Sequence, residues 1–187
     1  MRRRLVAATL AALTVASISG CADFPEWLVT DIGTQPEPAP ATDTTESIPI
    51  PIPANAYPAT VNYVHDGDTL FLNTAADPNL KVRLTGIDTP EVGDNLECYG
   101  DEATALLRTL LPEGTAVLAS PDIEPLDQYG RSLLYLFTEG GTFINLEMVK
   151  QGAAEELHYE PNVAYRDRLS TEASLASSSM VGMWGAC

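Results

Sequence analysis

Between Ala59 and Thr138 apolar and polar residues alternate in short runs, the pattern of strands buried on one face. "ATVNYVH" (59–65) and "TLFLN" (69–73) alternate on either side of Asp66 and Gly67. Two strands joined by a tight turn are expected there, with Gly67 supplying the positive φ that such turns need. "LKVRLTGI" (80–87) sets Leu80, Val82 and Leu84 against Lys81, Arg83 and Thr85, a third strand. The period then changes. In "CYGDEATALLRTLLP" (98–112), Ala103, Leu106, Leu107, Leu110 and Leu111 fall on one helical face. Asp101 and Glu102 suit the first turn of that helix, and Pro112 helps to stop it. "GTAVLAS" (114–120) and "RSLLYLFT" (131–138) supply two more strands, and "INLEMVKQG" (144–152) a helix closed by Gly152. A last helix runs from about Tyr165 to Ser177, with Leu169, Ala173 and Ala176 on one face.

This succession predicts an α+β domain over residues 58–187, and its natural candidate is a five-stranded OB-type Greek-key β-barrel with about three packed helices. The segment before it has a different composition. Residues 21–57 are rich in Pro, Thr and acids and hold no Lys or Arg, which predicts an extended spacer without a grip on lipid headgroups. Residues 1–20, "MRRRLVAATLAALTVASISG", have three arginines, an apolar run and small residues before Cys21, the layout of a secretory signal peptide. The run from Leu5 to Ile18 is short for a membrane span. "ISGC" resembles a bacterial lipobox, so a lipoprotein-type signal is expected, leaving Cys21 as the lipid-bearing residue; plain secretion is the alternative.

If Cys21 carries lipid, Cys98 and Cys187 remain as a pair, and an exported protein sits where disulfides persist. A Cys98–Cys187 bridge is therefore expected, against the alternative of two buried free thiols. Closing so long a loop contributes on the order of 4 kcal/mol in the chain-entropy model.

Charge narrows the function. Ten basic residues face 26 acidic ones, a formal net charge of −16, and Arg2, Arg3 and Arg4 of that balance lie in the leader. Such a chain repels polyanions at long range, so any chemistry on phosphates must rely on local cations. Most of the acids read as a solvated surface.

Three stretches hold candidate chemistry. In "VHDGDTLFL" the turn accounts for Asp66 and Gly67 but not for Asp68, an acid at the head of a strand. In "TGIDTPE", Asp88 and Glu91 flank Thr89-Pro90 directly after a strand; alone this is good turn composition. In "DQYGRSLLY", Arg131 opens a strand after a Tyr-Gly turn, where an arginine is ordinarily a solvated residue.

In their order, "DGDT", the arginine of "VRLTGIDTPE", "YG.EA" opening a helix and "D.YGR" before a strand closely resemble the thermonuclease (staphylococcal nuclease-like) family, from about Ala59 to Trp184. That resemblance implies an OB barrel with packed helices that hydrolyses phosphodiesters of DNA and RNA with one Ca²⁺. It implies Asp68 and Asp88 as carboxylate ligands and Thr89 as a ligand through its backbone carbonyl. It makes Glu91 the residue that orients or deprotonates the attacking water, and Arg83 and Arg131 the clamps on the scissile phosphate. Asp66, beside Asp68, takes either a supporting role behind that ligand or a turn role. The chemistry agrees: Ca²⁺ favours oxygen ligands, and the lack of nearby His or Cys argues against zinc. His65 belongs to no cluster and reads as a bystander.

The chain departs from the family in places. "EVGDNLECYG" is short and acidic where well-studied members carry a longer basic loop. Gln128 stands where a lysine often sits, and Leu157 near a position where a tyrosine can pack the nucleotide. Tyr129, Tyr159 and Tyr165 remain as candidate stacking surfaces, with core packing as the alternative for each. The expectation is a monomeric, exported nuclease, anchored through Cys21 on the extracytoplasmic face or secreted. Single-stranded DNA or RNA is its preferred substrate, and its affinity is weak and salt-sensitive. The rivals are a catalytically idle OB-fold scaffold module at the cell surface and an acidic protein whose Ca²⁺ site only stabilises the fold.

Overall fold

The computed structural model describes residues 49–187. The signal segment, Cys21 and most of the spacer lie outside them. Pro49 to Ala56 form neither strand nor helix, yet Ile50 and Ile52 rest against the core.

Five strands carry the domain: β1 (Tyr57–Val64), β2 (Thr69–Asn73), β3 (Leu80–Leu84), β5 (Ala116–Leu126) and β6 (Ser132–Thr138). They close into a barrel in the order β1-β2-β3-β6-β5. Every contact is antiparallel except β3 with β6, whose parallel register sets Arg83 opposite Leu133. Inward positions alternate as the sequence predicts: Val61, Leu70, Leu72, Val82, Leu84, Val117, Ala119, Leu134 and Leu136 are all buried. Each large one contributes roughly 1.5–3 kcal/mol by leaving water.

The helices α1 (Gly100–Leu110), α2 (Ile144–Lys150) and α3 (Arg166–Ser178) cover this barrel through the predicted faces, with Ala103, Leu107, Leu169 and Ala176 buried. Gly152 ends α2 as expected. At φ +65° it lets its own N–H reach Val149 O and the Ala153 N–H reach Met148 O, both at 2.9 Å. Cys98 and Cys187 form the expected disulfide, with Cα atoms 6.0 Å apart.

Three features differ from the sequence reading. The run read as one strand over 80–87 breaks at Gly86, whose φ of +82° turns the chain. Beyond it β4 (Ile87–Asp88) pairs instead with a second two-residue strand, β7 (Glu155–Glu156). β5 continues past Ser120 to Leu126, through half-buried Pro121 and Asp122 and then four exposed residues, with no alternation. A final short helix, α4 (Met183–Ala186), follows α3. Elements of two to four residues are shorter than any period that could announce them. Among the described residues, no helix is long and apolar enough to cross a membrane.

Candidate active site

The β1–β2 turn, the end of β3, β4 and the β5–β6 connection line one cleft of about 780 Å³. Asp68, Arg83, Asp88, Glu91 and Arg131, which the sequence scatters over 64 positions, all face it.

Asp66 builds the turn. Its Oδ1 accepts hydrogen bonds from the N–H groups of Asp68 (3.1 Å) and Thr69 (2.7 Å), the bond pattern of an aspartate turn. Gly67 is needed for a different reason from the one expected. Its φ is not positive; a Cβ at this position would lie 2.6 Å from Thr89 Oγ1. The turn therefore requires glycine because the loop carrying Thr89 passes directly over it.

That close passage serves Asp68, which is only 7% exposed. Its Oδ2 accepts from the Thr89 N–H (3.0 Å) and hydroxyl (2.9 Å), and its Oδ1 from the Thr69 hydroxyl (3.2 Å). Burial pushes this carboxyl above the ordinary aspartate value; the Arg83 guanidinium opposes the rise, the nearby Asp66 adds to it, and the Thr89 hydrogen bonds oppose it. The pairing of β2 with β3 sets Thr69 opposite Arg83, which brings Asp68 beside the guanidinium.

Arg83 is a bracket with both arms in use. Nη1 donates to the carbonyls of Leu84 (3.0 Å) and Ile87 (2.7 Å) and lies 3.2 Å from Asp68 Oδ2. Nη2 donates to Asp88 Oδ1 at 2.6 Å. The turn at Gly86 delivers the Ile87 carbonyl and Asp88 to one side of this fork. Buried Asn145 of α2 holds the same turn, donating to Thr85 O at 2.9 Å.

Arg131 is set by Asp127, a residue to which the sequence reading gave no role. The Asp127 carboxylate accepts from the N–H groups of Tyr129 (2.9 Å) and Arg131 (2.8 Å) and from Arg131 Nε (2.6 Å). Burial would raise the Asp127 carboxyl, but the hydrogen bonds from Arg131 and Tyr129 and the guanidinium charge outweigh it and hold it below the ordinary value. With Nε engaged, the Nη pair is the part of Arg131 left for the cleft. The i, i+4 spacing of Asp127 and Arg131 around Gly130 was the signal that could have shown it.

The remaining lining sorts the aromatic candidates. Tyr129 and Tyr159 line the cleft and are 76% and 72% exposed. Buried Asn162 pins the segment of Leu157 and Tyr159 to β5 by exchanging hydrogen bonds with the Glu124 backbone, both 2.8 Å. Tyr165 is not a stacking surface: its ring packs 4.7 Å from those of Tyr135 and Phe143, against the core. Gln128 lines the cleft, and His65 is exposed outside it.

Among the described residues, no three His, Cys, Asp or Glu side chains gather as a metal cage. The cleft lining holds no His or Cys at all, which leaves oxygen donors only. Asp68 and Asp88 converge on one guanidinium, and Asp68 Oδ1 carries a single hydrogen bond from a neighbouring hydroxyl. Two such carboxylates offer the oxygen donors that a hard cation takes, while Thr89, the third expected ligand, is 7% exposed and does not line the cleft.

Residues 81–186 match the family described as Staphylococcal nuclease homologue, more than half of the sequence. The chain belongs to the staphylococcal nuclease family. The matched span includes Arg83, Asp88, Thr89, Glu91 and Arg131, while Asp68 precedes it. Over 127 residues the chain is 32% identical to a thermonuclease of Staphylococcus intermedius, covering 66% of this chain and 74% of that one. It is 31% identical over 138 residues to endonuclease YhcR of Bacillus subtilis (strain 168), covering 68% of this chain and 11% of YhcR. Endonuclease YncB of the same organism is 30% identical over 131 residues, which are 67% of this chain and 60% of YncB. This family member thus spans about a tenth of one endonuclease relative and three-fifths of another. The mixed α+β fold with a five-stranded sheet and three main helices agrees with the family assignment.

Proposed function

We propose that this protein is a Ca²⁺-dependent endonuclease that hydrolyses phosphodiester bonds of extracellular DNA and RNA. In this reading it acts as a monomer at the extracytoplasmic face, anchored through Cys21. The observation that carries the catalytic part is the Arg83 fork, which joins Asp68 to Asp88 in the cleft that also receives Arg131 and Glu91. The endonuclease names of the relatives support the same reaction class.

Asp68, Asp88 and the Thr89 carbonyl would hold the Ca²⁺, which supplies positive charge beside the scissile phosphate. Arg131 presents its Nη pair to the nonbridging oxygens, a bidentate match for the charge that grows there. Arg83 keeps the acidic pair from repelling itself apart; its Nη2, bonded to Asp88 Oδ1, would serve as the second clamp by exchanging that carboxylate for a phosphate oxygen. Glu91 orients the water and takes its proton as the general base. Tyr129 and Tyr159 offer faces on which unpaired bases stack, so single-stranded substrates are preferred. Asp66, Glu124 and Asp127 also line the cleft and offset the two guanidiniums, so affinity is weak.

The test is digestion of denatured DNA by the purified protein with Ca²⁺, with a chelator, and with Arg131→Ala. Cleavage in the first case, none with chelator, and a loss of about a hundredfold or more in kcat for the variant are expected. A correctly folded protein that cuts neither DNA nor RNA over a range of pH and Ca²⁺ overturns the reading.

A further inference from the structure

Glu91 stands on a stretch with little to hold it. From Glu91 to Cys98 no residue is buried, and all but Val92 are exposed. A loop without apolar anchorage keeps its shape through hydrogen bonds and covalent ties. Here both meet at Glu97 and Cys98. Glu97 Oε2 accepts from the Glu91 N–H at 3.0 Å, and the Glu97 N–H donates to the Glu91 carbonyl at 2.9 Å. One residue thus holds both polar groups at the Glu91 end of the loop, across the 3-10 turn Gly93–Asn95.

The far side of the clasp is fixed too. The Gly100 N–H donates to Glu97 O at 3.1 Å, and a Cβ on Gly100 would lie 2.3 Å from the Glu91 carbonyl, so the loop rests on the start of α1. Cys98, the next residue, is bonded to Cys187, which directly follows α4. Met183 of α4 is buried and donates its N–H to Gly152 O, at the end of α2, at 2.9 Å. A continuous tether therefore runs from the end of α2 to the loop of Glu91.

We infer that Glu97 is a positioning residue for Glu91, and that the Cys98–Cys187 bond fixes this clasp to the body of the fold. The inference rests on the nuclease reading, in which the Glu91 carboxylate takes the proton of the attacking water. Holding the peptide of Glu91 at two points sets the direction in which its side chain leaves the backbone. A misplacement of about 1 Å at such a group costs up to about a hundredfold in rate. An exposed Glu97 serving only solubility would have no such effect.

The experiment measures kcat and KM on denatured DNA at saturating Ca²⁺ for four variants: Glu97→Ala, Glu97→Gln, Asp94→Asn and the double variant Cys98→Ser/Cys187→Ser. Amide hydrogen exchange at Glu91 is followed in the same proteins without substrate. Glu97→Ala should lower kcat about tenfold with KM within about twofold, and speed exchange at Glu91 about tenfold. Glu97→Gln keeps an oxygen acceptor and should match the wild type in both. Asp94→Asn removes the same charge from the same loop, where Asp94 makes no hydrogen bond or ion pair among the described residues, and should change neither. The cysteine variant should lose kcat as Glu97→Ala does, and adding Glu97→Ala to it should cost less than in the wild type. Should that variant fail to fold, the two Glu97 variants decide.

Unchanged exchange or unchanged kcat in Glu97→Ala overturns the inference, as does a Glu97→Gln variant as impaired as Glu97→Ala. A folded wild type that cuts nothing overturns the nuclease reading and the role of Glu97 with it, while exchange at Glu91 still reports whether the clasp exists.

Discussion

Nη1 of Arg83 lies 3.2 Å from Oδ2 of Asp68, and neither side chain is more than 13% exposed. A strand residue and a turn residue meet there because β2–β3 pairing sets Thr69 opposite Arg83. The contact has a structural and a catalytic side. Removing one partner of a buried pair leaves the other charge without compensation. Arg83→Ala should therefore lower the unfolding free energy by about 3 kcal/mol in urea titrations, besides abolishing cleavage. Arg83→Lys should recover less than half of that stability, because one ammonium cannot span Asp68, Asp88 and two carbonyls as the guanidinium does. Full recovery by lysine would mean that charge alone matters here.

The contact of Gly67 with Thr89 predicts a coupling. Gly67→Ala places a methyl 2.6 Å from Thr89 Oγ1, inside contact distance, so the Thr89 loop must move and its hydrogen bonds to Asp68 must lengthen. The expected loss is about 1–3 kcal/mol in thermal or urea unfolding, with a matching loss of activity. In a Thr89→Ala background the hydroxyl is gone, so the same change should cost less. The double-mutant cycle should show an interaction of about 0.5 kcal/mol or more. Strict additivity would show that the turn relaxes away from Thr89.

Legibility in the sequence followed the length over which each residue's partners lie. Leu70 and Leu72, or Ala103 and Leu107, announce their burial through a period, and their elements stand where the period puts them. Residue type and motif order named Asp68, Arg83, Asp88, Glu91 and Arg131, and the cleft holds all five. What stayed hidden depends on single distant contacts. Gly67 looked like a residue chosen for its φ, whereas its requirement comes from Thr89, 22 positions later. Asn162 and Asn145 belong to no motif, and only the folded chain shows them tying the cleft walls to β5 and β6. Pairing of Ile87–Asp88 with Glu155–Glu156 leaves no local trace at all.

Two tyrosines named together in the sequence part company in the fold, and their variants should too. Tyr165 packs with Tyr135 and Phe143, so Tyr165→Ala should destabilise the protein by about 3 kcal/mol or more and affect catalysis only through the folded fraction. Tyr129 is largely exposed beside Arg131, whose guanidinium carbon lies 5.6 Å from its ring centroid. Tyr129→Ala should leave the unfolding midpoint almost unchanged and raise KM for single-stranded substrate, by a factor corresponding to about 1–3 kcal/mol for one stacked base. Equal effects of both variants on stability would contradict this division.

Asp127 gives the fold an acid limit that can be assigned to one group. Its carboxyl titrates below the ordinary aspartate value, so the folded state binds its proton less readily than the unfolded chain does. The stability it contributes is then complete above the unfolded value near pH 4 and is lost as pH falls through the lowered value. Asp127→Asn keeps an oxygen for the Tyr129 and Arg131 N–H groups but loses the charge facing Arg131 Nε. At pH 7 the variant should be less stable than the wild type, by an amount that stays constant down to about pH 5. Below about pH 4 the gap should narrow, because the wild type surrenders what the variant never had. Urea unfolding of both proteins at pH 7, 5 and 3 measures this directly. A gap that widens on acidification would mean that burial, which pushes the carboxyl upward, prevails over its three hydrogen bonds.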